Sequence, residues 1–379
     1  MESNLTVENR LRRFLPSRGR MNPDGHDERR MDRYGEGLAE LIPLFRGKTV
    51  SSSLQKSGIC ARYVFRNLRS LIRDRSGLHA GESGATHQSF SAEQSVEYIR
   101  KVFADYLTYG GVSKGWIRGK RILEIGPGDN LGVALLLAAS GARQVVCLDR
   151  FETHSDAAQR RRVYELLRAR LSESEQILFD EAIDCSSLRV SSEKVRTVIG
   201  VPIDQADGAL EAASFDWIVS RAVLEEVSKT KLAACLAAQD RLLKPRGRMA
   251  HKIDLRDYGI FSARGFHPLE YWTLPGWLHT VMSSHEPAPN RCRASTYRAM
   301  LDQLGYQFEV YVTHLAGTDA EIEPHWKHWP LDARADKARQ LVAGIRGRLD
   351  AGFRELSDED LITTGIFVTA EKGESTLGS

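Results

Sequence analysis

Short apolar runs alternate with amphipathic stretches through most of the chain. RILEI (121–125), QVVCLD (144–149), VRTVIGV (195–201), WIVS (217–220), RMAHKID (248–254), FEVYVTH (308–314) and TGIFVTAEK (364–372) read as strands, being brief and rich in β-branched residues. Helical periodicity fills the intervals at 131–140, 157–172, 228–243 and 297–304. Apolar strands separated by helices of this length predict an α/β fold: a doubly wound, Rossmann-like, mostly parallel seven-stranded sheet with helices on both faces. Upstream, SAEQSVEYIRKVFADYL (91–107) begins with a capping box, Ser91 with Gln94, and carries the apolar stripe Val96, Ile99, Val102 and Phe103.

The N-terminal part reads differently. Residues 1–35 are polar, Arg-rich and broken by Pro16, Gly19, Pro23 and Gly25, which suits a loosely packed tail. Two helical patterns follow, GLAELIPLF (37–45) and ICARYVFRNLRSLIR (59–73), and then a Gly- and Ser-rich linker over 76–91. The expected division is a basic tail and helical extension over 1–84 and a main domain over 85–379, with an insertion near 258–293.

A chain of 379 residues with 42% hydrophobic and 27% charged content holds one large α/β domain plus such an extension. No apolar run reaches the roughly 18 residues of a membrane helix, and no secretory h-region is present, so a cytoplasmic protein is expected. The five cysteines lie far apart without a CxxC pair, which suggests neither a zinc site nor a disulfide framework; Cys147 and Cys235 read as packing. The net charge of +3 hides an asymmetry: residues 1–76 carry 16 Lys and Arg against 9 Asp and Glu. That excess points to an acidic partner, such as an anionic lipid-linked substrate or the inner face of a membrane, or to a solvated arm.

The chemistry begins at Leu123–Asn130. RILEI supplies a strand, Glu124 an acid, and Gly126 and Gly128 let the backbone pass close to a ligand around Pro127. The next glycine is Gly132, so the spacing departs from the G-x-G-x-x-G turn that brings helix N–H groups onto a pyrophosphate. An acid beside the turn favours a cation instead. QVVCLD ends in Asp149, where an acid binds ribose hydroxyls; NAD proteins place one similarly, so Asp149 alone leaves both cofactors open.

LEIGPGDNLG resembles motif I of class I S-adenosylmethionine-dependent methyltransferases, and LDRF resembles their strand-2 acidic motif. FDWIVSRAVLEEV resembles the family's strand-4 segment and LLKPRGRMAHKIDLRD its strand 5, while LSDEDLITTGIFVTAEK looks like the final antiparallel strand. Asp204, twelve residues before Asp216, matches the loop acid that meets adenine. The resemblance covers about 91–372 and implies S-adenosylmethionine as cofactor, held by Glu124, Gly126, Pro127, Gly128, Asn130, Asp149, Arg150, Phe151, Asp204, Ser220 and Arg221. Two positions depart from the pattern: Arg246 stands where a glycine is usual, and Glu226 replaces the common His after Glu225.

Methyl transfer needs an aligned nucleophile, and an alcohol acceptor also benefits from a base. Reacting groups in doubly wound folds lie outside the carboxyl ends of the strands. His251, Asp254 and Glu226 are therefore the catalytic candidates, His251 as the base with a carboxylate orienting it or taking its place. Glu225, Arg256, Asp257, Tyr271 and Trp272 are the substrate-binding candidates, the last two within an aromatic insertion suited to stacking on a sugar ring or to capping the cofactor. Asp254 and Asp257 lack a third fixed ligand, so no metal is expected.

The HKIDLRD run, the aromatic insertion and the basic N-terminus resemble bacterial methyltransferases of polysaccharide and glycolipid pathways. That resemblance implies O-methylation of a sugar hydroxyl on a glycan or lipid-linked saccharide. Methylation of a small natural product at O, N or C is the alternative enzyme reading; a non-catalytic cofactor scaffold and an NAD-dependent oxidoreductase are the alternatives of another class. Nucleic acid is disfavoured by the lack of an N/D-P-P-Y/F motif, and a homodimer is left open.

Overall fold

The computed structural model describes residues 52–75, 86–153, 155–284, 288–318, 320–327 and 333–374. The tail, the 37–45 helix and most of the 76–91 linker lie outside them. The chain runs α1 (Ser52–Arg75), α2 (Ala92–Tyr109), α3 (Lys114–Ile117), β1 (Arg121–Ile125), α4 (Gly132–Ala139), β2 (Gln144–Asp149), α5 (Ala157–Arg168), α6 (Glu173–Ala182), the short hairpin β3 (Ile183–Asp184) and β4 (Arg189–Val190), and β5 (Val195–Ile199). It continues with β6 (Phe215–Arg221), α7 (Lys229–Leu242), β7 (Leu243–Asp254), α8 (Gly276–Ser283), α9 (Ala294–Gln303), β8 (Gln307–Leu315), α10 (Ala333–Ile345), α11 (Ala351–Arg354), α12 (Asp358–Ile362) and β9 (Thr363–Glu371).

The seven long strands form one sheet in the order β5-β2-β1-β6-β7-β9-β8. β1, β2, β5, β6 and β7 pair in parallel, whereas β9 runs antiparallel between β7 and β8. The doubly wound sheet with an antiparallel last strand agrees with the sequence reading. So does the N-terminus of α2, where Gln94 N donates to Ser91 Oγ at 3.1 Å and Ser91 N donates to Gln94 Oε1 at 2.8 Å.

Because successive strand residues point to opposite faces, the sheet feeds two separate cores. Ile122, Val145, Trp217, Val219 and Ala250 pack under α2, α4, α5 and α6 on one side. Leu123, Val146, Ile218, Met249 and Ile253 pack under α7 and α9 on the other. All of α4 is buried, which explains its uninterrupted apolar sequence, GVALLLAA.

A third core joins segments the sequence kept apart. Ile59, Cys60 and Tyr63 of α1 pack with Phe261, Leu269, Tyr271, Trp272 and Met282 of the insertion and with Val342 and Ile345 of α10. Glu270, 2% exposed at its side chain, ties them together by taking Lys56 Nζ at 2.6 Å and Arg348 at 2.7 Å. Helix α1 is thereby built into the same cap as the insertion. The cysteines are free thiols among the described residues, with Cys147 and Cys235 buried as expected of packing groups.

Arg246 shows what its departure from the glycine pattern costs. It adopts φ 60°, the left-handed region, while its side chain reaches only an exposed contact with Glu374 at 3.4 Å. That backbone costs a residue with a Cβ about 1–2 kcal/mol, and glycine's extra freedom in the unfolded chain offsets about 0.4–1 kcal/mol of the relief. Arg246→Gly is therefore expected to stabilise the fold by about 0.5–1 kcal/mol in urea unfolding; a loss of stability would contradict this account of the turn.

Candidate functional site

The parallel strands β1, β2, β5 and β6 bring their carboxyl ends to one edge of the sheet, and the loops that leave them hold most of the expected cofactor residues. β1 delivers Glu124 and then bends. Gly126 takes φ 69°, and a Cβ there would lie 2.4 Å from Val223 Cγ2; Gly128 takes φ 71°. Both glycines, with Pro127 between them, are thus required by the path of the chain. Asn130 Oδ1 accepts the first N–H of α4, from Gly132, at 2.7 Å.

Asp129, absent from the expected site list, holds this loop from above. Its carboxylate accepts His87 N at 3.2 Å and Gln88 N at 3.1 Å, fastening the turn at 86–89 over the glycine bend. Thr153 Oγ1 donates to Gly128 O at 2.7 Å from the β2 side. The sequence signal was the acid directly after the second glycine.

At the end of β2, Asp149 accepts Phe151 N at 2.9 Å, and its burial raises its pKa. Arg150 lies with its guanidinium 5.0 Å from the centre of the Phe151 ring. Asp204 opens the turn after β5 and pairs with Lys231 Nζ at 3.2 Å. Glu124 is the exception in this polar rim: it is 5% exposed, and its only hydrogen-bond donor among the described residues is the thiol of Cys147 at 3.7 Å. Burial pushes its carboxyl up to about 7. A buried carboxyl with so weak a partner, beside a bend that no Cβ could enter, fits a cationic ligand.

The register of β6 and β7 divides the expected catalytic residues. Ser220 pairs with His251 and Arg221 with Lys252, so the two pairs face opposite sides of the sheet. Ser220 Oγ and His251 Nδ1 are 2.8 Å apart, both residues at most 2% exposed, on the side of α7 and α9. Burial lowers His251 to about 3 and leaves it neutral at ordinary pH. This geometry gives His251 packing and positioning duties, and it argues against the role of base that its sequence position suggested.

Arg221 and Lys252 share the face of α2 with Glu124. Arg221 donates to Asp105 Oδ2 at 2.8 Å, and its guanidinium lies 5.3 Å from the centre of the Tyr98 ring. Lys252 Nζ contacts Glu321 and lies 3.8 Å from Asp105 Oδ2. His325 stacks on Tyr109, ring centres 3.9 Å apart, and turns Nε2 to within 3.4 Å of Glu321. The side chains of Asp105, Lys252, Arg221 and Glu321 are 9–14% exposed, so they form a buried polar cluster and not a surface one. Burial, with Arg221 alongside, pushes Lys252 down to about 6 against the opposing pull of Asp105.

Asp105, Glu321 and His325 bring one potential ligand atom each within 4.8 Å of one another. Lys252 contacts Glu321 and Arg221 contacts Asp105 within the same group. Asp105, Lys252 and Glu321 were not singled out in the sequence. Nothing in a helical Asp, a strand Lys or a loop Glu marks a site until the fold assembles them.

The remaining candidates scatter. Asp254 and Arg256 form a bidentate pair, with contacts of 2.8 Å and 3.0 Å, at the end of β7. Glu225, 1% exposed, accepts Asp254 N at 2.9 Å and is raised well above the usual carboxylate range by burial and by Asp254. Glu226 is half-buried beside it. Asp257 is spent on its own loop, accepting Gly259 N, Phe261 N and Ser262 N at 2.8–3.0 Å, and is not joined to Asp254 as a metal pair. Tyr271 and Trp272 donate to the carbonyls of Pro289 and Arg291 inside the third core, so their rings do not line an open pocket.

Glu124 has a testable consequence. A carboxyl raised on folding stabilises the ligand-free fold below its unfolded pKa, and that contribution is lost as pH rises through about 7. Glu124→Gln escapes this loss, so the variant's stability relative to wild type is expected to increase between pH 5 and pH 8 in denaturant titrations. An unchanged difference across that range would contradict the burial argument.

The model of a methyltransferase domain family matches residues 95–309. No curated protein sequence matches the chain significantly. Among solved structures, the chain is similar to phosphoethanolamine N-methyltransferase 2 of Haemonchus contortus in complex with S-adenosyl-L-methionine, at 13% identity over 78% of this chain and 61% of that one, with a TM-score of 0.39. It thus spans about three fifths of the length of that enzyme. It is also similar to a putative sarcosine dimethylglycine methyltransferase of Galdieria sulphuraria (14% identity, 74% and 86% covered, TM-score 0.37) and to an S-adenosylmethionine-dependent methyltransferase of Mesorhizobium loti (15%, 74% and 100%, 0.37). With the domain match running from α2 into β8 across more than half of its length, the chain belongs to the methyltransferase domain family.

Proposed function

We propose that this enzyme passes the methyl group of S-adenosylmethionine to a hydroxyl of a saccharide, bound on the α2 face of the sheet with Lys252 as the base. The donor supplies an electrophilic methyl group; Glu124, the glycine bend, Asp149 and Asp204 would hold it. The chain's own task is to align an acceptor oxygen, keep water away and take up a proton.

The observation that carries this reading is the buried polar cluster formed by Arg221, Asp105, Lys252, Glu321 and His325 on the same face as Glu124. A polyhydroxyl acceptor needs donors and acceptors in alternation, which guanidinium, carboxylate, amine and imidazole provide. Lys252, lowered to about 6, carries a free amine at neutral pH and accepts the hydroxyl proton at Nζ. Asp105 and Glu321 then face the ammonium that forms.

Incubation with labelled donor and a panel of mono- and oligosaccharides is expected to give O-methylated sugars; transfer to amines alone would overturn the saccharide reading. With a sugar acceptor in hand, kcat is expected to rise with pH through a midpoint near 6, because the base acts only once deprotonated. Lys252→Gln should lower kcat by about 10²–10⁴-fold and remove that limb while calorimetric donor binding persists. A variant with wild-type kcat would exclude Lys252 as the base.

A further inference from the structure

We propose that the outer face of α1, with α8 beside it, is a docking surface for an anionic lipid bilayer. This inference is independent of the acceptor's identity. On its inner side α1 buries Ile59, Cys60, Tyr63, Asn67 and Ser70 in the cap. Its outer side carries Phe65 at 66%, Leu68 at 49% and Ile72 at 69% exposure, with the smaller Gly58 and Ala61 continuing the same stripe. At 100° per residue these positions fall within a narrow arc, so the apolar side chains form one ridge.

Two further features say what this ridge fits. The segment 52–75 holds six Lys and Arg against a single Asp, and Arg62 and Arg69 lie along one flank of the stripe without an ion pair among the described residues. Meanwhile α8 is fastened alongside by Asn67 Nδ2, which donates to Val281 O and Ser284 Oγ at 2.9 Å each, and it exposes Trp277 at 69% and Val281 at 40%. An exposed apolar ridge, an arginine row and an adjoining tryptophan are the parts of a helix that lies in the interface of a charged bilayer. No described helix is long and apolar enough to cross a membrane, so the contact is with the surface. A second copy is the poorer occupant, since a symmetric pairing of this face would oppose its arginines to one another. Anionic headgroups, by contrast, complement them.

The test is sedimentation of the full chain with vesicles of phosphatidylcholine alone or with phosphatidylglycerol added. The intact protein is expected to sediment with the mixed vesicles, to be released by salt, and to ignore pure phosphatidylcholine. Arg62→Glu combined with Arg69→Glu should weaken binding about tenfold or more. Trp277→Ser, at an exposed position outside the core, should also weaken it, as should Phe65→Ser with Ile72→Ser, provided calorimetry with S-adenosylmethionine shows each variant folded. Three results would overturn the proposal: no sedimentation of the wild type, variants that bind as tightly as the wild type, or a wild-type dimer that the apolar variants dissociate.

Discussion

Strand register decides which chemistry this protein can perform. β1, β6 and β7 pair in parallel without slippage at their carboxyl ends, so Glu124, Arg221 and Lys252 share one face, and Ser220 and His251 are committed to the other. A shift of one residue would exchange the sets. Asp105 of α2 and Glu321 and His325 of the 321–325 loop assemble against the first face. The second face holds Ser220 and a neutral, buried imidazole.

Burial then sets the charge states on the chosen face. Burial raises Glu124, with only the Cys147 thiol opposing it, and burial lowers Lys252, with Arg221 adding to the effect. Both shifts move a group toward its neutral form, and each is oriented to its place in the fold. In the proposed reaction the acid near the glycine bend meets a cation and the buried amine receives a proton. The cap built from α1, the insertion and α10 keeps Phe261, Tyr271 and Trp272 for its own packing, which leaves the Asp105–Lys252 cluster to charged side chains.

How much of this could be read in advance varies by type of signal. Apolar periodicity marked all seven long strands and several of the helices that separate them, because packing on a sheet imposes the pattern directly. The glycine bend was equally legible, since Gly126 sits where a side chain cannot fit. The base was not. The sequence offers His251 and Lys252 as neighbours, and only register tells which one faces α2. Tyr271 and Trp272 looked like acceptor contacts because stacking residues and core residues are the same types; α1, far away in sequence, is what encloses their segment. The α10–α12 segment also escaped notice, its short helices carrying too weak a period to stand out.

The assignment of the reaction to the α2 face is most directly tested by a crystal structure of the enzyme with S-adenosylhomocysteine and a methyl-accepting sugar. The account predicts the acceptor oxygen within hydrogen-bonding distance of Lys252 Nζ, with Arg221 and Glu321 around the ring. An acceptor that approaches Ser220 and His251, or that leaves Lys252 untouched, would contradict it.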